Sequence, residues 1–136
     1  ELYINPPYDL NNEETNLNIK IRIKSDKELL INELKDSRVM LNPGHKGEVF
    51  CLAAAEATEL CVPIVTMGYG CLYERVEHNI TGYIAKTKKE FIDYATKILN
   101  DDDTYFKLKE NLINRKGKRT YKHVSDDLIK IINENK

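Results

Sequence analysis

Two glutamates, Glu48 and Glu56, lie eight positions apart and bracket the apolar residues 49–55. If a helix starts near Val49, the first carboxylate lies in the preceding loop and the second about two turns inside, because an α-helix repeats every ~3.6 residues. The first N–H groups of a helix lack intrahelical acceptors and favour a phosphate. A carboxylate on so apolar a segment needs a partner to offset its desolvation. The spacing therefore predicts that both glutamates serve one ligand; the alternative is a loop acid and a helix acid paired with a lysine.

Composition bounds the class of protein. The 136 residues suffice for one domain, and 41% hydrophobic with 32% charged residues is typical of a globular protein. A net charge of −1 gives no general attraction to nucleic acid. There is no apolar run of about 20 residues and no signal-peptide pattern. The odd number of cysteines, Cys51, Cys61 and Cys71, predicts reduced thiols in a cytoplasmic protein rather than a zinc site.

Strand-like and helical patterns alternate along the chain. Short β-like runs occur at residues 2–4, 19–23, 39–41, 64–67 and 83–85, and helical patterns lie at 25–34, 49–62, 72–77 and from 88 to the end. This order predicts a doubly wound α/β fold with a parallel sheet, right-handed crossovers and a helical C-terminal tail. Ligands of such sheets bind beyond the carboxyl ends of the strands, and the loop after Leu41 lies at such a place.

Four segments carry a family resemblance. They are GEVFCLAAAEA at 47–57, CVPIV at 61–65, GCLYE at 70–74 and NITGY at 79–83. The sequence resembles the donor-binding C-terminal half of GT-B glycosyltransferases of the family 4 type, also called glycosyl transferases group 1. The usual pattern there is Glu-Gly-Phe-Gly-hydrophobic before Glu-Ala, then Gly-x-Pro-hydrophobic-Val, Gly-Gly-x-x-Glu and Gly-x-Thr-Gly. Every spacing of that pattern is kept.

The resemblance implies a Rossmann-like domain that binds a nucleotide-diphospho-sugar for retaining transfer of a hexose, with no metal and no other cofactor. It implies that Glu56 holds the ribose hydroxyls and that Glu48 acts at the donor sugar beside the reacting carbon. Backbone N–H groups of the loop and helix start would cradle the sugar and diphosphate. The donor-binding candidates are Gly47, Val49, Phe50, Cys51, Leu52 and, more weakly, the loop residue His45; the base-side candidates are Ile23, Lys24 and Asn42.

The resemblance also implies partners and a domain organisation. We expect residues 1–136 to form one nucleotide-sugar-binding domain, a fragment that lacks the N-terminal acceptor domain and the first strand and helix. Such a fragment would be inactive alone. The expected partners are a UDP-, GDP- or ADP-linked sugar, the N-terminal domain and a glycan or lipid-linked acceptor of polysaccharide biosynthesis. The basic run at 115–122 could bring the full-length cytoplasmic protein to the inner face of a membrane, although such runs are more often solvated.

Several residues depart from the family pattern; among them, Val49 and Cys71 replace glycines, and Tyr73 replaces a proline. Two alternatives stay open, and Val49 and Cys71 would support the first. One is a module that binds a nucleotide or a protein partner without transferring a sugar. The other is a sugar-nucleotide epimerase of the same fold.

Overall fold

A computed structural model describes residues 2–4, 19–21, 26–115 and 120–135, the first two ranges as backbone only. The end of the predicted strand, at 22–23, lies outside these residues. Two compact units divide the chain, residues 1–33 and residues 34–136. In the first unit, strand β1 (Leu2–Ile4) pairs in parallel with β2 (Ile19–Ile21). Helix α1 covers Lys27–Asp36, with Glu28 in its first turn and Lys35 in its last, charges that complement the helix dipole.

A parallel three-stranded sheet organises the second unit. Its strands are β3 (Met40–Leu41), β4 (Ile64–Thr66) and β5 (Gly82–Ile84), in the spatial order β3-β4-β5. All three residues of β4 are buried, as expected of a central parallel strand with both faces covered. The predicted parallel α/β fold is confirmed.

Helices cover both faces of this sheet. They are α2 (Leu52–Glu59), α3 (Leu72–Arg75), α4 (Lys88–Asn100) and α5 (Asp102–Arg115). Successive residues of a strand point to opposite faces. Ile64 accordingly joins the core cluster that contains residues of α2 and α3, whereas Val65 joins the cluster that contains residues of α4 and α5. The sheet is therefore doubly wound, with one small core on each face.

Arg38 holds the corner between α4 and α5. Helix α4 ends at Asn100, and Asp101 has an extended backbone before α5 begins. The Arg38 Nε donates a 2.8 Å hydrogen bond to the carbonyl oxygen of Ile98, and its Nη2 lies 2.5 Å from Oδ1 of Asp102. The same guanidinium lies 4.5 Å from the centroid of the Tyr105 ring. One side chain from the loop before β3 thus joins two helices.

The last helix, α6 (Tyr121–Glu134), is amphipathic and has no buried residue. Its apolar side chains Val124, Leu128, Ile131 and Ile132 are all exposed. None of the helices in the described ranges combines the length and hydropathy that a membrane span requires. The three cysteines are free and buried.

Candidate functional site

Asn42 connects the carboxyl end of β3 to the start of α2. Its N–H donates to the carbonyl oxygen of Val65 at 3.0 Å and so extends the pairing of β3 with β4. Its side-chain Oδ1 accepts the N–H of Gly44 at 3.0 Å, and its Nδ2 donates to the Sγ of Cys51 at 3.3 Å. The loop 42–51 is therefore tied to both the strand and the helix that it joins.

The start of α2 differs from the prediction. The helix begins at Leu52 and not near Val49, so Glu56 lies about one turn inside it rather than two. Val49 and Phe50 belong to the loop and are 89% and 51% exposed. Cys51 ends the loop with φ 52° and ψ 78°, in the left-handed region, where a chain of L-residues cannot continue as a right-handed helix.

The first N–H groups of α2 are open. The N–H of Ala55 makes the first helical bond, 3.1 Å to the carbonyl oxygen of Cys51. Within the part of the chain that the structure describes, the N–H groups of Leu52 and Ala53 make no hydrogen bond. They lie at the positive end of the helix dipole and can therefore donate to an anion.

Glu48 lies beside this helix start, in the preceding loop as predicted. Its N–H donates to the carbonyl oxygen of His45, and its own carbonyl oxygen accepts the N–H of Cys71, both at 3.0 Å. Burial raises the pKa of the Cys51 thiol, and the hydrogen-bonded Glu48 carboxylate raises it further, which outweighs the lowering by the Ala54 N–H and the Asn42 amide. The Glu48 carboxylate is thus placed against the thiol at the helix start.

Glu56 is half-buried on the first turns of α2. Its carboxylate forms no hydrogen bond or ion pair with any residue that the structure describes. The alternative that this acid is paired with a lysine therefore finds no such lysine among the described residues. A partly desolvated carboxylate without a partner can accept hydrogen bonds from a ligand.

The other candidates divide between the loop and regions outside the structure. His45 and Gly47 are exposed, and the Nδ1 of His45 accepts the Gly47 N–H at 3.1 Å, so this ring nitrogen serves its own loop. The base-side candidates Ile23 and Lys24 lie outside the described residues. The described residues contain no group of three or more His, Cys, Asp or Glu side chains able to hold a metal ion.

A comparison with models of protein families supplies the decisive observation. The model described as glycosyl transferases group 1 matches residues 8–119 of the chain. The chain belongs to this family. A comparison with curated proteins finds no match.

The matched range of this group 1 glycosyltransferase includes the whole loop between β3 and α2 and all three strands of the second sheet. Family membership implies, in general, a nucleotide-sugar donor and an acceptor. The open N–H groups of α2, with Glu48 and Glu56 near them, lie beyond the carboxyl end of β3, where ligands of doubly wound sheets bind.

Sequence reasoning missed two residues that shape the site of this glycosyltransferase, Gly70 and Arg75, and the backbone conformation of a third, Cys51. Gly70 has φ +58°, and a Cβ there would lie 2.5 Å from the carbonyl oxygen of Glu48. Arg75 donates from Nε to the carbonyl oxygen of Phe50 at 3.2 Å, and its guanidinium lies 4.1 Å from the centroid of the Phe50 ring. Cys51 occupies the second glycine of the Glu-Gly-Phe-Gly pattern, so its left-handed backbone was the one feature that the pattern could have revealed.

Proposed function

We propose that this chain is the donor-binding domain of a retaining GT-B glycosyltransferase of the family 4 type. It binds a nucleotide-diphospho-sugar, from which a hexose is transferred to a glycan or lipid-linked acceptor. The observation that carries the proposal is the half-buried Glu56, which has no partner among the described residues and lies on the same short helix as the open N–H groups of Leu52 and Ala53.

Glu56 and the start of α2 bind different parts of the nucleotide. The Glu56 carboxylate accepts hydrogen bonds from both hydroxyls of the ribose, because two carboxylate oxygens match a vicinal diol. The open N–H groups of Leu52 and Ala53 donate to the diphosphate. They favour the negative charge that grows on the leaving diphosphate in the transition state, and this lowers the barrier to sugar transfer.

Glu48 orients the donor sugar. Its backbone is held on both sides, by His45 and by Cys71, so the direction of its side chain is restricted before the donor binds. The carboxylate, placed against the Cys51 thiol, accepts hydrogen bonds from sugar hydroxyls near the reacting carbon. Preorganisation of this kind reduces the entropy lost on binding.

The loop around these acids completes the proposed donor site. Gly47 and the backbone of residues 49–52 contact the sugar and diphosphate, with His45 at the edge and Asn42 on the side of the base; for Ile23 and Lys24 the same role remains a prediction from the sequence. We propose residues 1–136 as one domain that acts with a further, acceptor-binding domain and without a metal or other cofactor. Transfer then requires closure of the two domains, which excludes water, so the isolated chain binds donor without efficient turnover.

The exposed Val49 favours a second candidate function. Its side chain is 89% exposed in the loop that would contact the sugar, at a position where the family pattern has glycine. A larger residue there narrows the space for a sugar. The second candidate is therefore a module that binds a nucleotide but not its sugar conjugate and transfers nothing.

Calorimetric titration tests both candidates. UDP, GDP, ADP and their sugar conjugates are titrated into the wild type, Glu56→Gln and the matched control Glu59→Gln, an exposed acid on the same helix. We expect one nucleotide series to bind and Glu56→Gln to weaken it about 10- to 100-fold, the equivalent of one hydrogen bond to a charged group. Glu59→Gln should bind as the wild type does. Equal affinity for Glu56→Gln and the wild type would refute the assignment of Glu56.

Val49→Gly separates the two candidates. The transferase proposal predicts that this variant binds the sugar conjugate as tightly as the wild type or more tightly. If the wild type binds the free nucleotide but not its sugar conjugate, the binding module is favoured, and a gain of conjugate binding in Val49→Gly would identify Val49 as the cause.

A further inference from the structure

A cavity lies away from the proposed donor site, between β5, α4 and α5. It has a volume of about 240 Å³ and is lined by Asn79, Tyr83, Lys97, Thr104, Lys107 and Leu108. Ligand pockets for drug-sized molecules start at about 300 Å³. This cavity therefore suits a small ligand and is too small for a nucleotide-diphospho-sugar.

Tyr83 gives the cavity an unsatisfied polar group. The residue is only 4% exposed, and its ring stacks on Tyr94 with centroids 4.5 Å apart. Its hydroxyl makes no hydrogen bond with any residue in the described ranges. Buried hydroxyls nearly always have a partner, so a donor left open on the wall of a cavity indicates a ligand that supplies the acceptor.

The charges on the cavity wall indicate the sign of that ligand. Lys97 and Lys107 contribute two ammonium groups, and no carboxylate lies among the lining residues. The Lys97 Nζ lies 5.6 Å from the centroid of the Tyr83 ring, so one of these charges is held over the unsatisfied tyrosine. Asp101 offsets part of the charge of Lys97, but its own oxygens accept the N–H and the hydroxyl of Thr104.

Asn79 adds a further neutral donor. Its backbone is left-handed, with φ 65°, and its N–H donates to the carbonyl oxygen of Gly82 at 2.9 Å. Its side-chain amide makes no hydrogen bond to the described part of the chain. Two ammonium groups, an amide and a phenol are together better matched to a phosphate, with about two negative charges at neutral pH, than to a single carboxylate.

The cavity and the proposed donor site lie at opposite edges of the sheet. Asn79 precedes β5, at the amino end of that strand, and Lys97 lies in the last turn of α4. Asn42 and Cys51 lie beyond the carboxyl end of β3. Because the strands are parallel, all their amino ends lie on one side of the sheet and all their carboxyl ends on the other. A ligand in the cavity would therefore not touch the donor.

We propose that this cavity binds a small phosphate-bearing anion, held by Lys97, Lys107, Asn79 and the hydroxyl of Tyr83. It is a second anion site, independent of sugar transfer. A ligand there joins β5 to both helices of that face, so its binding stabilises the α4–α5 side of the sheet.

Inorganic phosphate is the probe for the test, with acetate as the comparison anion. Both are titrated into the 136-residue chain and followed by amide chemical shifts. We expect phosphate to shift the amides of Asn79, Tyr83, Thr104 and Lys107 saturably, and acetate to bind at least about tenfold more weakly. A phosphate response confined to residues 52–54 would overturn the proposal and belong to the donor site instead.

Two variants and a control sharpen this test. Tyr83→Phe removes only the unpartnered hydroxyl, so the fold should persist while phosphate affinity falls about tenfold, the equivalent of one hydrogen bond to a charged group. The double variant Lys97→Gln/Lys107→Gln should abolish the response. Lys86→Gln/Lys88→Gln makes the same change in net charge at exposed positions outside the cavity lining and should retain it. An equal loss in both double variants would show general charge screening and refute the site.

Discussion

Gly70→Ala should both destabilise the protein and displace Glu48. Gly70 has φ +58°, a conformation that costs an L-residue about 1–2 kcal/mol. The new Cβ would lie 2.5 Å from the carbonyl oxygen of Glu48 and 2.7 Å from that of His45. Both contacts are with backbone atoms, so no side chain can rotate away to relieve them.

The expected size of the effect follows from these two terms. Overpacking of this kind costs about 1–3 kcal/mol, and with the left-handed backbone the total is about 2–5 kcal/mol. For a chain of 136 residues each kcal/mol lowers the melting temperature by roughly 3–5 °C, so we expect a loss of about 6–25 °C. A shifted Glu48 should also lose contact with the donor sugar, so the proposed binding of the sugar conjugate weakens in the variant even below its melting temperature.

Thermal and urea unfolding measure this prediction, with Gly47→Ala as the matched control. Gly47 lies in the same loop but outside the left-handed region, and its Cβ would lie 3.3 Å from the Nδ1 of the exposed His45 ring, which can move. The control should change stability by less than about 0.5 kcal/mol. If Gly70→Ala and Gly47→Ala unfold at the same urea concentration, the contact between Gly70 and the Glu48 carbonyl does not hold the loop.

Three further predictions concern titration and backbone conformation. Burial and the Glu48 carboxylate raise the pKa of Cys51 from its usual value of 9.0. Glu48→Gln should lower that pKa and speed the alkylation of Cys51 by iodoacetamide at pH 8, because the thiolate is the nucleophile. An unchanged alkylation rate, followed by mass spectrometry, would contradict the contact between Glu48 and Cys51. The Thr104 hydroxyl, as the larger cause, and the Thr104 N–H lower the pKa of Asp101 in the folded chain. The ionised carboxylate therefore stabilises the fold above pH 3.8, and this stabilisation is lost as the pH falls through the pKa of the folded state. Thr104→Val should therefore raise that pKa in a carboxyl NMR titration, and no rise would exclude the hydroxyl as its cause. Because Cys51 is left-handed, Cys51→Gly should be more stable than Cys51→Ala by about 1 kcal/mol in urea unfolding, and the reverse order would refute the assigned backbone.

The alternation of strands and helices was predictable because burial leaves a periodic trace. The run at 64–67 is apolar except for Thr66, and its first three residues form the buried central strand β4. Helices α4 and α5 bury one side each and show the corresponding spacing of apolar residues. The sequence could not reveal where α2 starts, because Val49 and Phe50 look like helical core residues yet lie exposed in a loop held by distant contacts.

The sequence pointed to the two acids of the candidate site but not to the residues that hold their loop in place. Glu48 and Glu56 stand out by residue type, and the quoted family pattern selects the loop between them. The residues that hold this loop, Gly70 and Arg75, lie more than twenty positions further along the chain. No local periodicity connects them to the loop, since the link is one close backbone approach and one stacked guanidinium.

The Arg38 contact has a consequence for the order of events in folding. Arg38 and Ile98 are 60 positions apart, so their hydrogen bond closes a long loop. The hydrogen bond can form only after the chain between them has lost the conformational entropy that loop closure costs. Local turns of α4 and α5 can form earlier, so we expect the contact of Arg38 with these two helices to form late in folding. An interaction absent from the transition state slows unfolding without speeding folding. The loss of Arg38 should therefore speed unfolding, and so shorten the lifetime of the folded chain, more than it slows folding.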